Sequence, residues 1–534
     1  MSNKLASKGT SPKRKKDENG AEIAKSVIEY ILAVIGIALC VLIPLYLKNG
    51  YYGVGDVKYQ LYKGIMLVAM IALVFMSVVY WMIQSGFGKD TSCDTDWCVV
   101  IFMTLSLVSA LVGGNFSACM TGYNGWYMGF FSLLTFGLLY YYFTRFGKYY
   151  KVVLICLCAT SVITYVIGIL HRLMIDVIGT YEGIADKYKN QFLSTLGQAT
   201  WYSSFLCTVL PLGIALFWCA RKKNHRIIGG IFSFLGFASL VTQGSDSAYV
   251  ALGGFMLVFF WFSVTSVERM ERFMEILLLF VGATRFMNLA FLLHPNPILE
   301  LDTLSSFLVF HPLMWGVLLV VALLWGISLV GCKKQIYSVK IGKICRGIVL
   351  ALVGLGIVAA VLILYLGAHG TLPGALEPVA SKIPYLKWSD NWGNGRGRTW
   401  AFSWQMFMDM DFGHKLFGVG PDGYAPYAYS FYQDRLVQLW GDRTLTNAHN
   451  EWMNAVICYG LFGAAVYIGI FVTAIKQFVK EWMSNPMMIG FVACIVSYMC
   501  HNFFCYQQVC CTPFIFIIIG CGIYIMREKG TNES

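Results

Sequence analysis

Charge is what this chain has least of. Asp, Glu, Lys and Arg make up 13% of its 534 residues, against a hydrophobic share of 57%. A soluble domain uses roughly 25% charged residues to cover its surface, so a soluble globular fold is excluded. Also missing is any pattern that would hold a metal. Cys500, Cys505, Cys510 and Cys511 cluster near the end of the chain, but their spacing fits no zinc motif and no His-x3-5-His accompanies them. Most other cysteines, such as Cys40, Cys156, Cys158, Cys207, Cys458 and Cys494, lie within apolar runs and read as small hydrophobes. The stretch 369–448 holds no cysteine, so no disulfide is expected to staple it. The start of the chain carries no export-signal pattern: Ser11 to Lys16 (SPKRKK) opens a polar tail, and the apolar run behind it is full length, with no small-residue cleavage site. No repeat relates the two halves.

What is present is a long series of apolar runs of about 17–25 residues, the length that crosses a bilayer core as helix. The expected fold is all-α, a polytopic membrane bundle of about fourteen transmembrane helices. The spans are expected at 27–47, 65–84, 97–113, 128–143, 151–171, 201–220, 227–242, 247–264, 274–293, 313–331, 346–367, 449–475, 487–504 and 509–526. They are preceded by a disordered basic tail (1–26), interrupted after the eleventh span by one large loop (369–448), and followed by a short tail (527–534).

The net charge of +12 does not call for nucleic acid, because the basic residues sort by side of the membrane. With the first tail inside and the sides alternating, short cytoplasmic connections hold Arg221-Lys-Lys-Asn-His-Arg226 and the patch from Lys333 to Arg346. Short outer connections hold few Lys or Arg. The positive-inside rule then puts both termini in the cytoplasm and the large loop outside. A loop of about 80 residues is uncommon without a function. This one is rich in Gly and aromatics, including Trp388, Trp392, Trp400, Trp404 and Trp440. Those rings suit sugar faces and membrane interfaces equally.

Three short motifs order the loop. Gly393-Asn-Gly-Arg396-Gly-Arg398-Thr-Trp400 places two arginines in a Gly-rich stretch, where guanidinium groups suit phosphate oxygens; solvated surface arginines fit the same pattern. A short amphipathic helix follows, with Trp400, Trp404 and Phe407 expected on one face. Next comes Leu416-Phe-Gly418-Val-Gly420-Pro421-Asp-Gly-Tyr424. The loop ends in Asn447-Ala-His449-Asn450, with His449 and Asn450 expected on the first turn of a span at the outer membrane surface. A helix N-terminus disfavours imidazolium and keeps a histidine neutral, the state a general base needs. A histidine that only caps the helix has the same sequence. Elsewhere, Arg285 lies inside the apolar run Leu277 to Leu293. A charge at that depth faces a cavity or a partner, either the site or an acid such as Asp246.

Taken together, Gly395-Arg396 with Trp400, then Phe417-Gly-Val-Gly-Pro421, then His449-Asn450 with Gly460 and Gly463 resemble the O-antigen ligase and polymerase family of envelope glycan enzymes, over about residues 390–465. Phe192-Leu-Ser-Thr-Leu-Gly197 resembles the entry to a span in that family. Gln198 and Thr200 stand where members often have asparagines, and Gln243-Gly-Ser-Asp-Ser247 lacks an arginine that many place after the serine.

The resemblance implies a glycosyltransferase or ligase of the plasma membrane that needs no metal or other cofactor. Its donor would be a glycan on undecaprenyl diphosphate, its acceptor a glycan, lipid or protein hydroxyl, and its only other partners membrane lipids. His449 would act as base with Asn450 fixing its geometry, and Arg396, Arg398 and Arg285 would hold the diphosphate. Trp400, Gly418, Gly420 and Pro421 would shape the loop. A lipid-linked glycan flippase or other transporter shares the many spans, and a passive channel or scaffold shares them too. The missing repeat and the large outer loop count against a transporter, and a channel or scaffold leaves the spacing of the loop motifs unexplained.

Overall fold

The computed structural model describes residues 12–84, 92–294, 298–333, 339–369, 371–374, 377–378 and 386–533. Ahead of the large loop come α1 (Pro12–Leu45), α2 (Val54–Gln84), α3 (Asp94–Val112), α4 (Phe116–Thr121), α5 (Phe130–Phe146), α6 (Tyr150–Arg172) and α7 (Asp186–Lys189). They continue with α8 (Ala199–Cys219), α9 (Lys223–Leu240), α10 (Ser247–Ser263), α11 (Val267–Leu293), α12 (Thr303–Phe310), α13 (Leu313–Lys333) and α14 (Val339–Ala368). Among the described residues of the loop stand α15 (Trp392–Asp409), α16 (Phe412–Phe417) and α17 (Tyr424–Trp440), and α18 (Glu451–Glu481), α19 (Met488–His501) and α20 (Thr512–Glu533) follow it. A two-residue hairpin, β1 (Phe192–Leu193) with β2 (Gly197–Gln198), leads into α8.

Among the described residues, nine helices are long and apolar enough to cross a membrane, and α10 and α19 are apolar but shorter. The chain is therefore a multi-pass, all-α membrane protein. The expected disordered tail 1–26 differs from the structure. Helix α1 already runs from Pro12 and α20 continues to Glu533, while residues 1–11 lie outside the described residues. Each apolar run propagates as helix into its polar flank, because adding a residue to a formed helix costs far less than starting one.

Helix α8 is apolar on every side and buried along nearly all of its length, as a helix without a polar face must be. It packs on α9, α10 and α19. Helix α14 has the same composition but exposes Leu352, Leu355, Val358 and Leu362, which suits lipid as its solvent. The end of α1 is closed by Lys58, whose buried ammonium donates to the carbonyls of Ile43 (2.7 Å), Pro44 (3.2 Å) and Tyr46 (3.0 Å). These are the C-terminal carbonyls that a helix leaves unpaired.

The feature that positions the site is a break in α18. Gly460 has φ 69° and ψ −179°, so the helix is two pieces. In one straight helix Trp452 and Tyr467 would stand roughly 22 Å apart along the axis. Instead their rings lie 6.0 Å apart, and Trp452 also meets Phe471 at 6.0 Å. The piece Glu451–Tyr459 therefore folds back on the span that begins at Gly460. This corrects the expectation that His449 opens the first turn of a span: it opens the short returning piece.

The break exists because another backbone occupies that space. Val419 N–H donates to Ile457 O and Gly420 N–H to Cys458 O, both at 3.0 Å. Ser109 of α3 donates to Cys458 O (2.7 Å) and accepts from Gly420 N–H (3.0 Å). A Cβ on Gly460 would lie 2.2 Å from Leu416 O, and one on Gly418 (φ 81°) 2.3 Å from Cys458 O. Gly420-Pro421-Asp422-Gly423 then closes a turn, with Gly423 N–H on Gly420 O (2.9 Å), proline at its second position and Asp422 at φ 57° in its third.

Gly460→Ala combines a left-handed residue with a backbone clash, each worth about 1–3 kcal/mol. It is expected to lower the melting temperature of the purified protein by several degrees. Gly354→Ala, with nothing within 4 Å of its Cβ position, should leave it unchanged; equal melting of both variants would contradict this account of the break.

Candidate active site

His449 is set by its neighbours' amides. Asn447 Oδ1 accepts the His449 N–H at 2.8 Å, and His449 itself adopts φ 49°, a left-handed turn uncommon outside Gly and typical of strained functional positions. Asn450 Oδ1 then accepts Met453 N–H at 3.0 Å, which makes Asn450 the N-cap of α18. Its side chain is spent on the helix and does not line the cavity described below. The imidazole of His449 meets the ring of Tyr506 edge-on at 5.3 Å.

Arg396 is aimed by three consecutive left-handed residues, Gly393, Asn394 and Gly395 (φ 56°, 62° and 87°). Its Nε and Nη2 donate to Phe504 O at 3.1 and 2.9 Å, and Nη1 to Gly393 O at 2.7 Å. A guanidinium has five N–H groups, so one remains on each terminal nitrogen. Phe504 is held in turn by Trp400, stacked on it at 5.8 Å. Arg398 Nη1 donates to Leu439 O, its Nε is buried without a hydrogen bond, and Asp390 lies 3.9 Å away.

These residues share one cavity of about 750 Å³, lined among others by Gln198, Thr200, Arg396, Arg398, Arg443 and His449. Among the described residues, three arginines line it and no carboxylate does. Burial, and then the charge of Arg396, push the His449 imidazole down to about 4. Histidine is thus neutral at physiological pH, and burial is the leading cause where the sequence suggested a helix terminus. Asp422, which is not part of this lining, is buried with its carboxylate accepting Tyr123 N–H (2.6 Å) and Met128 N–H (3.1 Å). Burial raises it to about 6 against those two hydrogen bonds.

The structure thus brings together His449, Arg396 and Arg398 and leaves Arg285 elsewhere. Arg285 Nη2 donates to Leu308 O and to Val309 O (2.8 Å), and its guanidinium lies 5.4 Å from the Trp315 ring. It closes the carbonyl end of α12, a demand that sequence spacing does not show. Gly418, Gly420 and Pro421 act through the backbone contact at Gly460. Trp404 meets the Phe407 ring at 5.9 Å, as the expected aromatic face requires, but the fold buries Thr399, Phe402, Ser403, Met406 and Phe407 and leaves Trp404 58% exposed. Arg443, Phe504 and Tyr506 were not anticipated. The aromatic and amide-rich turn Phe503-Phe-Cys-Tyr-Gln-Gln508 was the signal for the last two.

Because the Arg396 charge disfavours imidazolium, Arg396→Gln should raise the His449 midpoint from about 4 toward the usual value. The acid limb of any activity that needs neutral His449 would move up in pH with it. Histidine titration by NMR checks this, and an unmoved midpoint would show that the two groups are not coupled.

Comparison with known proteins adds one result. No curated protein matches the chain. Residues 303–468, which run from α12 through the three loop helices past Gly460, match the family model described as O-antigen ligase. That stretch, which contains Arg396, Arg398 and His449, is what the chain has in common with the O-antigen ligase family.

Proposed function

We propose that the protein transfers a glycan from undecaprenyl diphosphate to an acceptor hydroxyl at the outer face of the cytoplasmic membrane, as an envelope polysaccharide ligase or polymerase. The observation that carries the reading is a neutral, half-buried histidine in one cavity whose described lining has three arginines and no carboxylate. The charge pattern of the short connections supports a loop that faces outward with both termini inside.

On this reading His449 accepts the proton of the acceptor hydroxyl as its oxygen attacks the anomeric carbon. The bond from that carbon to the diphosphate oxygen breaks, and undecaprenyl diphosphate leaves with the bonding pair. The free N–H groups of Arg396, together with Arg398 and Arg443, meet the negative charge that develops on the leaving group. A single displacement of this kind inverts the anomeric centre. Asn450 contributes by fixing the turn that carries His449. Gln198 and Thr200 offer neutral hydrogen-bonding groups to sugar hydroxyls. Positioned arginines stabilise the leaving group without a metal ion, so transfer should withstand chelators.

Transfer of a labelled lipid-linked glycan by the protein in lipid vesicles is the direct test. His449→Ala should lower the rate by about 10²–10⁴, the usual worth of a general base, with donor binding retained. Arg396→Ala and Arg398→Ala should weaken donor binding and slow transfer. Wild-type transfer by His449→Ala would remove the general-base role, and glycan movement across the bilayer without transfer would favour a flippase. Inorganic diphosphate, by neutralising Arg396, should raise the His449 midpoint above its value of about 4.

A further inference from the structure

Glu451 is a buried acid that the mechanism leaves unused. It stands two residues after His449 and is 1% exposed. Its backbone N–H donates to Asn502 O at 2.9 Å, and its carboxylate accepts the N–H of Gln507. A single residue thus grips both ends of the turn between α19 and α20. The carboxylate also lies beside Tyr467 and Tyr498, on the helices against which the returning piece of α18 folds. At the first position of a helix a carboxylate is further favoured by the unpaired N–H groups there.

That turn carries two atoms on which the site depends. Phe504 O holds two N–H groups of Arg396, and the Tyr506 ring is the edge partner of His449. The carbonyl that aims the anion-binding arginine and the ring that seats the histidine are therefore fastened to the chain at Glu451. The amide of Gln507 offers one N–H, and a carboxylate or an amide oxygen at the same reach can accept it. A hydrocarbon leaves it buried and unpaired, which shifts the turn.

We propose that Glu451 is a positioning residue for the transfer reaction, clamping the start of α18 to the 502–508 turn so that His449 and Arg396 keep their mutual geometry. This rests on the reading of His449 and Arg396 given above. An ångström-scale displacement of reacting groups costs up to about a hundredfold in rate.

The test measures kcat, KM for the donor and the pH profile of transfer in vesicles. Glu451→Gln keeps an acceptor oxygen in place and should retain at least half of kcat with an unchanged pH profile. Glu451→Ala and the shorter Glu451→Asp should lose about tenfold or more in kcat with KM within about twofold. If Glu451→Ala does not fold, the Asp and Gln variants decide between them. Wild-type kcat in Glu451→Asp, or a Glu451→Gln as inactive as His449→Ala, overturns the proposal, the latter by making the acid itself a reacting group. Full activity in His449→Ala would instead sink the underlying reading, whatever Glu451 does.

Discussion

The site depends on one close approach of two backbones. Leu416 to Gly420 lies against Ile457 to Gly460 with no side chain between them, and the hydrogen bonds of Val419 and Gly420 to Ile457 and Cys458 join a loop to a broken helix. A helix interior has no free carbonyls to offer. The break at Gly460 releases those of residues 457 and 458, and the loop takes them up with Ser109 of α3 as a third party. Glycine is required on both sides, because a Cβ on either would fall within 2.3 Å of a carbonyl oxygen. Everything nearer the chemistry hangs from this contact. It sends Glu451–Tyr459 back along the span, which carries His449 to the turn after α19 and brings Arg396 within reach of Phe504.

The same contact explains what could be read from the sequence and what could not. Apolar runs declare helices because burial in lipid needs only composition and length, and a helix stands at each expected span. His449, Arg396 and Arg398 were legible as a group only because their motifs keep a fixed order and spacing. Gly418 and Gly460 were visible as letters of those motifs. Their task, a mutual backbone approach across some forty residues, is tertiary and leaves no local pattern. Arg285 shows the converse failure. A charge in an apolar run announces that it has a partner without saying which, and here the partners are two carbonyls at the end of α12. Helical spacing brings the Trp404 and Phe407 rings together, but it does not tell that the fold buries Phe407 and leaves Trp404 exposed.

How Arg396 is held matters as much as where it is. An arginine fixed by a carboxylate would have its charge largely cancelled before any ligand arrived. Arg396 is fixed by Phe504 O and Gly393 O. Neutral carbonyls set the plane of the guanidinium and leave its charge whole, with N–H groups still free on both terminal nitrogens. Rigidity and charge are obtained together, which an anion site needs if it is not to reorganise when the anion binds. The aromatic stack of Trp400 on Phe504 extends that rigidity one layer outward.

On the proposed reading, Arg396 and His449 are also linked through the donor. The arginine charge adds to burial in keeping the imidazole neutral, which protects a base from protonation but also makes it weak. A base whose conjugate acid lies far below the working pH has little driving force to take a proton from a hydroxyl. A diphosphate seated on Arg396 cancels the charge that weakened it, and adds negative charge of its own, so the affinity of His449 for a proton rises. On the proposed reading the histidine becomes a competent base only when the leaving group is in place. The cavity would then couple donor binding to acceptor activation with no moving part, through the electrostatics of two side chains that the 502–508 turn holds side by side.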